Sequence, residues 1–170
     1  SASSKRPQTI HLTAENQLYF ETKGWFDPAQ HQLIVQAMGK PRMVQHEEIV
    51  AFSLEDFHFS RYYTLLNDTP TAQFGQQLSK GRYNLYLKYN VKSSAQTSQS
   101  VEEQLNTSTK HYFIKEADQQ YAEKLPTTKS GLYRYFDTHR KQLKSYIRQH
   151  KLQINRQEDL VQIVEFCNSL

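Results

Sequence analysis

SGLYRYFDTHRKQLKSYIRQHKLQINRQEDLVQIVEFCNSL, residues 130–170, has the clearest periodicity and the clearest helix-start signal in the chain. Leu132, Phe136, His139, Leu143, Ile147 and His150 recur at steps of three or four, which keeps them on one stripe of a helix with about 3.6 residues per turn. The spacing predicts one amphipathic helix, kinked near Asp137. Further on, Asn155 stands three residues before Glu158, the pattern in which an Asn accepts from first-turn N–H groups and the Glu reaches back. A second helix is therefore expected from Arg156. Its Leu160, Ile163, Val164 and Cys167 follow i, i+3, i+4, i+7, while Val161 and Phe166 widen the apolar arc. So broad a face needs cover from something larger than one neighbouring helix.

That cover must come from the earlier chain, which reads as short apolar runs bounded by turn residues. Ser1 to Gln8 is polar and reads as frayed. Leu18 to Glu21, a break at Lys23-Gly24, and Trp25-Phe26 precede a turn at Asp27-Pro28. Gln32 to Met38 is closed by Gly39-Lys40-Pro41, and Glu48 to Leu54 alternates with Val50, Phe52 and Leu54 on one face. Asp56 to Leu66 holds the densest aromatic patch, with Phe57 and Phe59 placed inward and His58 outward; Asn67 to Thr71 ends it. In Arg82 to Val91, Tyr83, Leu85, Leu87, Tyr89 and Val91 occupy every second position, after a Ser79-Lys80-Gly81 connection that suits a hairpin with a left-handed Gly. Lys92 to Thr109 is rich in Ser, Thr and Gln and reads as a long mobile loop. Tyr112 to Ile114 and Gln120 to Leu125 form one more hairpin around a polar turn.

The fold class that follows is α+β: a mostly antiparallel sheet or small barrel from about Gln8 to Leu125, with two C-terminal helices packed on it. The division expected is a β-rich domain over 1–126, carrying the loop 92–109, and a dependent helical segment over 127–170. Although only 37% of the 170 residues are hydrophobic, 11 Tyr and 9 Phe supply core area that the aliphatics lack. The net charge of +4 belongs to the helical end, since residues 129–170 hold eight Lys or Arg against four Asp or Glu and the rest of the chain is balanced. Cys167, the single cysteine, sits on an apolar stripe and reads as a buried structural thiol. No stretch approaches the roughly 18 apolar residues of a membrane span.

Chemical motifs are sparse. None of the seven histidines has a partner one helical turn away, and His139 and His150 lie about 16 Å apart along a helix. There is no Gly-x-Ser-x-Gly elbow and no phosphate-cradling glycine loop. Glu55-Asp56, the carboxylate pair a glycan-active enzyme would need, reads as a strand-end turn, because neighbours on a strand point to opposite faces. The sequence thus assigns no catalytic residue, cofactor or metal ligand. Two candidate surfaces remain. Arg140, Lys141, Lys144, Arg148 and Lys151, with Arg134, fall within an arc of about 120° on the first helix, a face that either binds polyanions or is simply solvated and complements the helix dipole. Tyr62 and Tyr63 offer either a stacking platform for sugar rings or bases, or the boundary of the sheet core.

Gly81-Arg82-Tyr83-Asn84-Leu85-Tyr86, Tyr112-Phe113-Ile114-Lys115, Tyr135-Phe136 and the terminal Glu158-Asp159-Leu160 with Val164-Glu165-Phe166-Cys167-Asn168 together resemble a layout found in uncharacterised exported proteins of Gram-negative bacteria. The resemblance spans roughly residues 45–170 and departs from the pattern at Cys167, where an aromatic is more usual. It implies export, to the periplasm, the outer-membrane surface or the medium, and a β domain capped by helices; it implies no catalytic residue. The opening Ser-Ala-Ser-Ser-Lys-Arg-Pro, without an initiator Met, suits a cleaved signal peptide or a trimmed chain alike. The expected function is a non-enzymatic binding or envelope-associated module whose partner is a protein or polysaccharide. Nucleic acid is disfavoured as the partner. Polyanion binding through the basic helix and a glycan-active enzyme stand as alternatives.

Overall fold

The computed structural model describes residues 7–16, 18–27, 30, 32–90, 101–106 and 108–170, without the side chains of residues 20, 101 and 104. Ten strands occur in chain order: β1 (Gln8–Ala14), β2 (Tyr19–Asp27), β3 (Gln32–Ala37), β4 (Lys40–Val44), β5 (Ile49–Leu54), β6 (Phe57–Leu66), β7 (Thr69–Ser79), β8 (Tyr83–Asn90), β9 (Thr109–Glu116) and β10 (Glu123–Lys124). The helices are α1 (Val101–Asn106), α2 (Lys129–Tyr135), α3 (Arg140–His150) and α4 (Gln157–Asn168). The strands form one sheet in the order β10-β9-β8-β7-β6-β5-β1-β2-β3-β4. The α+β class holds, and the sheet is open, so the barrel alternative is excluded. One rim strand, β4, carries Lys40, Pro41 and Arg42, all exposed, and proline offers no N–H to a further strand.

The chain forms two compact units, Ser1–Gln76 with Lys88–Lys110, and Gln77–Leu87 with His111–Leu170. In the first, Ile10, Leu12, Phe26, Leu33, Val35, Phe52, Leu54, Phe59 and Phe74 are buried. Phe52 and Phe59 face each other in register at 4.9 Å. Phe26 and Phe59 also meet, with ring centroids 5.0 Å apart. Their strands are three steps apart in the sheet order, a separation of about 14 Å in a flat sheet, so the stretch from β6 to β2 curls sharply within this unit and brings side chains of its two outer strands together. An irregularity of β1 against β5 at Thr13/Ala14 is the kind of bulge that bends a strand.

Several expectations change here. β2 runs unbroken through Lys23-Gly24; a Cβ on Gly24 would lie 2.2 Å from the Ile34 carbonyl oxygen, so glycine marks a close approach of two strands rather than a break. Met38 and Gly39, both at positive φ (52° and 78°), turn β3 into β4, and Asn67 and Asp68 (49° and 60°) turn β6 into β7, with Pro70 inside that strand. Of the polar stretch expected to be a mobile loop, 92–100 and 107 lie outside the described residues, while Val101–Asn106 is helical and its Leu105 is buried. A composition poor in apolar residues concealed the burial of Leu105.

The second unit is built as the apolar stripes require. Tyr83 and Leu85 of β8 and Ile114 of β9 share a core with Leu125, Leu132, Phe136, Leu143, Ile147, Ile154, Leu160, Ile163, Val164 and Cys167. The C-terminal part holds three helices rather than two: α2 ends at Tyr135, a 3-10 turn spans Asp137–His139, and α3 begins at Arg140. Thr128 caps α2 by accepting from Gly131 N at 3.1 Å. α4 starts one residue later than expected, with Arg156 rather than Asn155 at its cap and no side-chain capping bond. Asp159 instead accepts from Gln153 N at 2.8 Å, tying the first turn to the connection before it.

The far end of α4 is clamped to β7 and β8. Asn168 accepts from Tyr83 N at 2.7 Å and donates to Tyr83 O at 3.1 Å, behaving as a short length of extra strand, while Ser79 donates to Glu165 at 2.7 Å. Gly81 does not adopt the left-handed conformation expected of it. Glycine is needed there because a Cβ would sit 2.9–3.0 Å from the Asn168 amide group.

Candidate functional site

The break at Asp137–His139 turns what the periodicity reads as one helix into two packed ones, and the site lies where they meet. A hollow of about 470 Å³ is lined by Lys129 and Tyr133 of α2, Lys144, Ile147 and Arg148 of α3, and Lys151 and Leu152 just beyond it. Lys144, Arg148 and Lys151 are spaced four and three residues apart and so share one face, beside the buried Ile147 that anchors α3 to the core. Lys151 closes α3 in the left-handed conformation (φ 53°), and Leu152 N donates back to Ile147 O at 3.0 Å. This closure holds Lys151 and Leu152 against the last turn.

Among the described residues, the lining holds four cations and no acid. Among the described residues, none of Lys129, Lys144, Arg148 and Lys151 has a carboxylate within ion-pair distance, whereas Arg140 is paired with Asp137 at 3.7 Å. Lys144 Nζ lies 5.2 Å from the Tyr133 ring centroid and Arg140 Cζ 6.0 Å from it, so the ring gathers cations over its π-face. Of the six basic residues placed on one arc from sequence, the structure brings Lys144, Arg148 and Lys151 together, while Arg134 is exposed outside the hollow. Arg140 stays with Asp137 and Tyr133, and Lys141 is exposed outside the hollow. Lys129 and Tyr133 were missed, because a continuous helix never folds its first turns onto its last. The available signals were Thr128 as a cap and the weak helix formers Asp137 and Thr138.

The aromatic platform does not form. Tyr62 is only 2% exposed and its hydroxyl donates to Gln73 Oε1 at 3.3 Å, so it belongs to the interior. Tyr63, the next residue on the same strand, points to the opposite face, where Arg61 Cζ lies 5.2 Å from its ring centroid. Arg61 is itself held by Glu15 at 2.6 Å and by Glu47 O at 3.0 Å, so that face of Tyr63 is taken. Glu55 and Asp56 form the two-residue turn between β5 and β6, with Glu55 at φ 53°.

The remaining candidates are structural in character. Cys167 is buried, and burial pushes its thiol up to about 12, so it stays protonated at any ordinary pH. Tyr135 is also pushed far up, mainly by burial and then by the carboxylates of Glu123 and Glu116. Among the described residues, no group of three or more His, Cys, Asp or Glu is placed to hold a metal ion, and no helix is long and apolar enough to cross a membrane. In comparison with known proteins, no family, no curated protein and no solved structure matches the chain.

Proposed function

We propose that the protein is a binding module, set in the exported compartment that the sequence resemblance implies, and that its groove between α2 and α3 takes a polyanion. The observation that carries this reading is the set of four cations around one hollow with no neutralising carboxylate among the described residues. Four like charges held together repel one another, and an anionic chain that displaces their counterions relieves that repulsion while releasing ions to the solvent. Nearby acids normally quench such a patch on a solvated helix face; here Asp137 is turned to Arg140 instead.

The test is retention on a heparin resin. Lys144→Glu/Arg148→Glu/Lys151→Glu changes the local charge from +4 to −2, counted over the four lining cations, and should elute at about 0.15 M salt or below, where screening already acts over ~8 Å. The wild type should elute at several-fold higher salt. Lys40→Glu/Lys80→Glu/Lys124→Glu reverses three exposed cations elsewhere and should leave retention nearly unchanged. Equal elution of wild type and the groove variant, or equal loss in both variants, would reduce the effect to net charge and end the proposal.

A further inference from the structure

We infer that the polyanion is an acidic polysaccharide, held in the hollow by one sugar residue whose C–H groups rest on Leu152 and against the side of the Tyr133 ring and whose carboxylate or sulfate meets the surrounding cations. The inference rests on the groove being a polyanion site and adds what its floor contributes. The lining combines two surfaces: an apolar floor of the half-buried Tyr133 and Leu152 over the buried Ile147, and a rim of Lys129, Lys144, Arg148 and Lys151. At about 470 Å³ the hollow has the capacity of a small-molecule site rather than that of a single ion's cradle. A ligand carrying charge alone, such as a polyphosphate chain, would use the rim and leave the floor wet. A pyranose bearing an acidic group has both a C–H face and an anion on one compact unit.

A nucleobase also combines an apolar face with a nearby anion, but the rings here suit it poorly. Non-specific single-strand binding uses several aromatic side chains on which successive bases stack. Of the rings on these helices, Tyr146 is stacked on Phe166, with centroids 4.0 Å apart and planes at 4°. Tyr135 is edge-on to Tyr83 and Phe136 at 6.1 and 4.9 Å. Only Tyr133 lines the hollow, and a base stacking flat on it would have to displace Lys144 or Arg140 from the ring. A sugar can rest its C–H groups on Leu152 and against the side of the ring while the lysine stays where it is.

The experiment titrates fluorescently labelled galacturonate hexamer, thymidylate hexamer and inorganic polyphosphate of matched charge into the whole chain at one ionic strength, reading anisotropy. The galacturonate hexamer should bind at least tenfold more tightly than either of the others. Tyr133→Ala should weaken it roughly tenfold while leaving the two phosphate polymers within twofold, and Tyr133→Phe should behave as wild type. Thymidylate binding as tightly as galacturonate, or Tyr133→Ala weakening all three probes alike, would overturn the saccharide assignment and leave the polyanion reading standing. Should none of the three bind the wild type, and the Lys144→Glu/Arg148→Glu/Lys151→Glu protein elute unchanged from heparin, the groove itself is not the site. The comparison among probes uses only wild-type protein, so it stands even where a Tyr133 variant folds poorly.

Discussion

Phe136→Ala is expected to cost the second compact unit about 3–5 kcal/mol, the range for emptying a large aromatic site in a core that collapses only in part. Phe136 is 1% exposed and meets Tyr83 edge-on at 4.9 Å and Tyr135 edge-on at 4.9 Å. It also stands at the junction where α2 stops and the 3-10 turn begins, and its N–H still donates to Leu132 O at 2.9 Å. Removing the ring therefore takes out core area and the wedge that sets α2 against α3. Urea unfolding followed by near-ultraviolet circular dichroism should show the lower midpoint. The variant should also elute earlier from heparin, because Tyr133 and Lys129 would no longer be held opposite Lys144. A loss below about 1 kcal/mol, within the span of surface substitutions and mild repacking, would mean that the helix junction is not set by this ring.

Gly24→Ala should be the most damaging small substitution in the first unit. A glycine in the middle of a strand is ordinarily a weakness, and alanine there stabilises by about 0.5–1 kcal/mol. Here the added Cβ would lie 2.2 Å from the Ile34 carbonyl oxygen, 3.0 Å from Val35 Cα and 3.0 Å from Ile10 Cδ1. Two of these three atoms are backbone and cannot swing aside, so the β2–β3 pairing must part or the curl must open. A cost of about 2–3 kcal/mol or more is expected from such overpacking. Trp25, the only tryptophan, is the adjacent residue, and its fluorescence reports the transition directly. A midpoint equal to or above that of the wild type would show that the strands are not so close.

How much of this was legible beforehand depends on where the information lay. The stripe Leu160, Ile163, Val164, Cys167 and the alternation of Tyr83, Leu85, Leu87 and Tyr89 are local patterns, and both elements formed with those residues buried. Their pairing as helices on strands followed from the width of the apolar faces. Features set by contacts distant in sequence did not show. Gly24 and Gly81 look like breakers, but their neighbours, Ile34 and Asn168, are recruited from other elements. Lys40-Pro41 reads as a stop and is instead a rim strand, because a strand paired on one side tolerates a missing N–H.

The candidate site was half legible for the same reason. Lys144, Arg148 and Lys151 share a helical face and are visible as such. Lys129 and Tyr133 join them only because the chain reverses at Asp137–His139. The Tyr62-Tyr63 pair failed on strand geometry: adjacent side chains cannot share a face, and Tyr62 is the one that the fold buries.

Both the groove and its proposed ligand depend on the three terminal helices lying closed over β8 and β9, and Cys167 reports on that closure from within. In the folded protein its thiol is buried and pushed up to about 12, while in the unfolded chain it ionises near its usual 9.0. The contribution to stability is thus full below pH 9 and is lost as pH rises from there towards 12. The decisive measurement is the rate at which Cys167 reacts with excess 5,5′-dithiobis(2-nitrobenzoic acid) at pH 8 as urea is raised. Negligible labelling is expected in native buffer, with a rate that climbs only with unfolding of the second unit. Complete labelling within the mixing time in the absence of urea would mean that the helices do not cover the strands, and would contradict that closure.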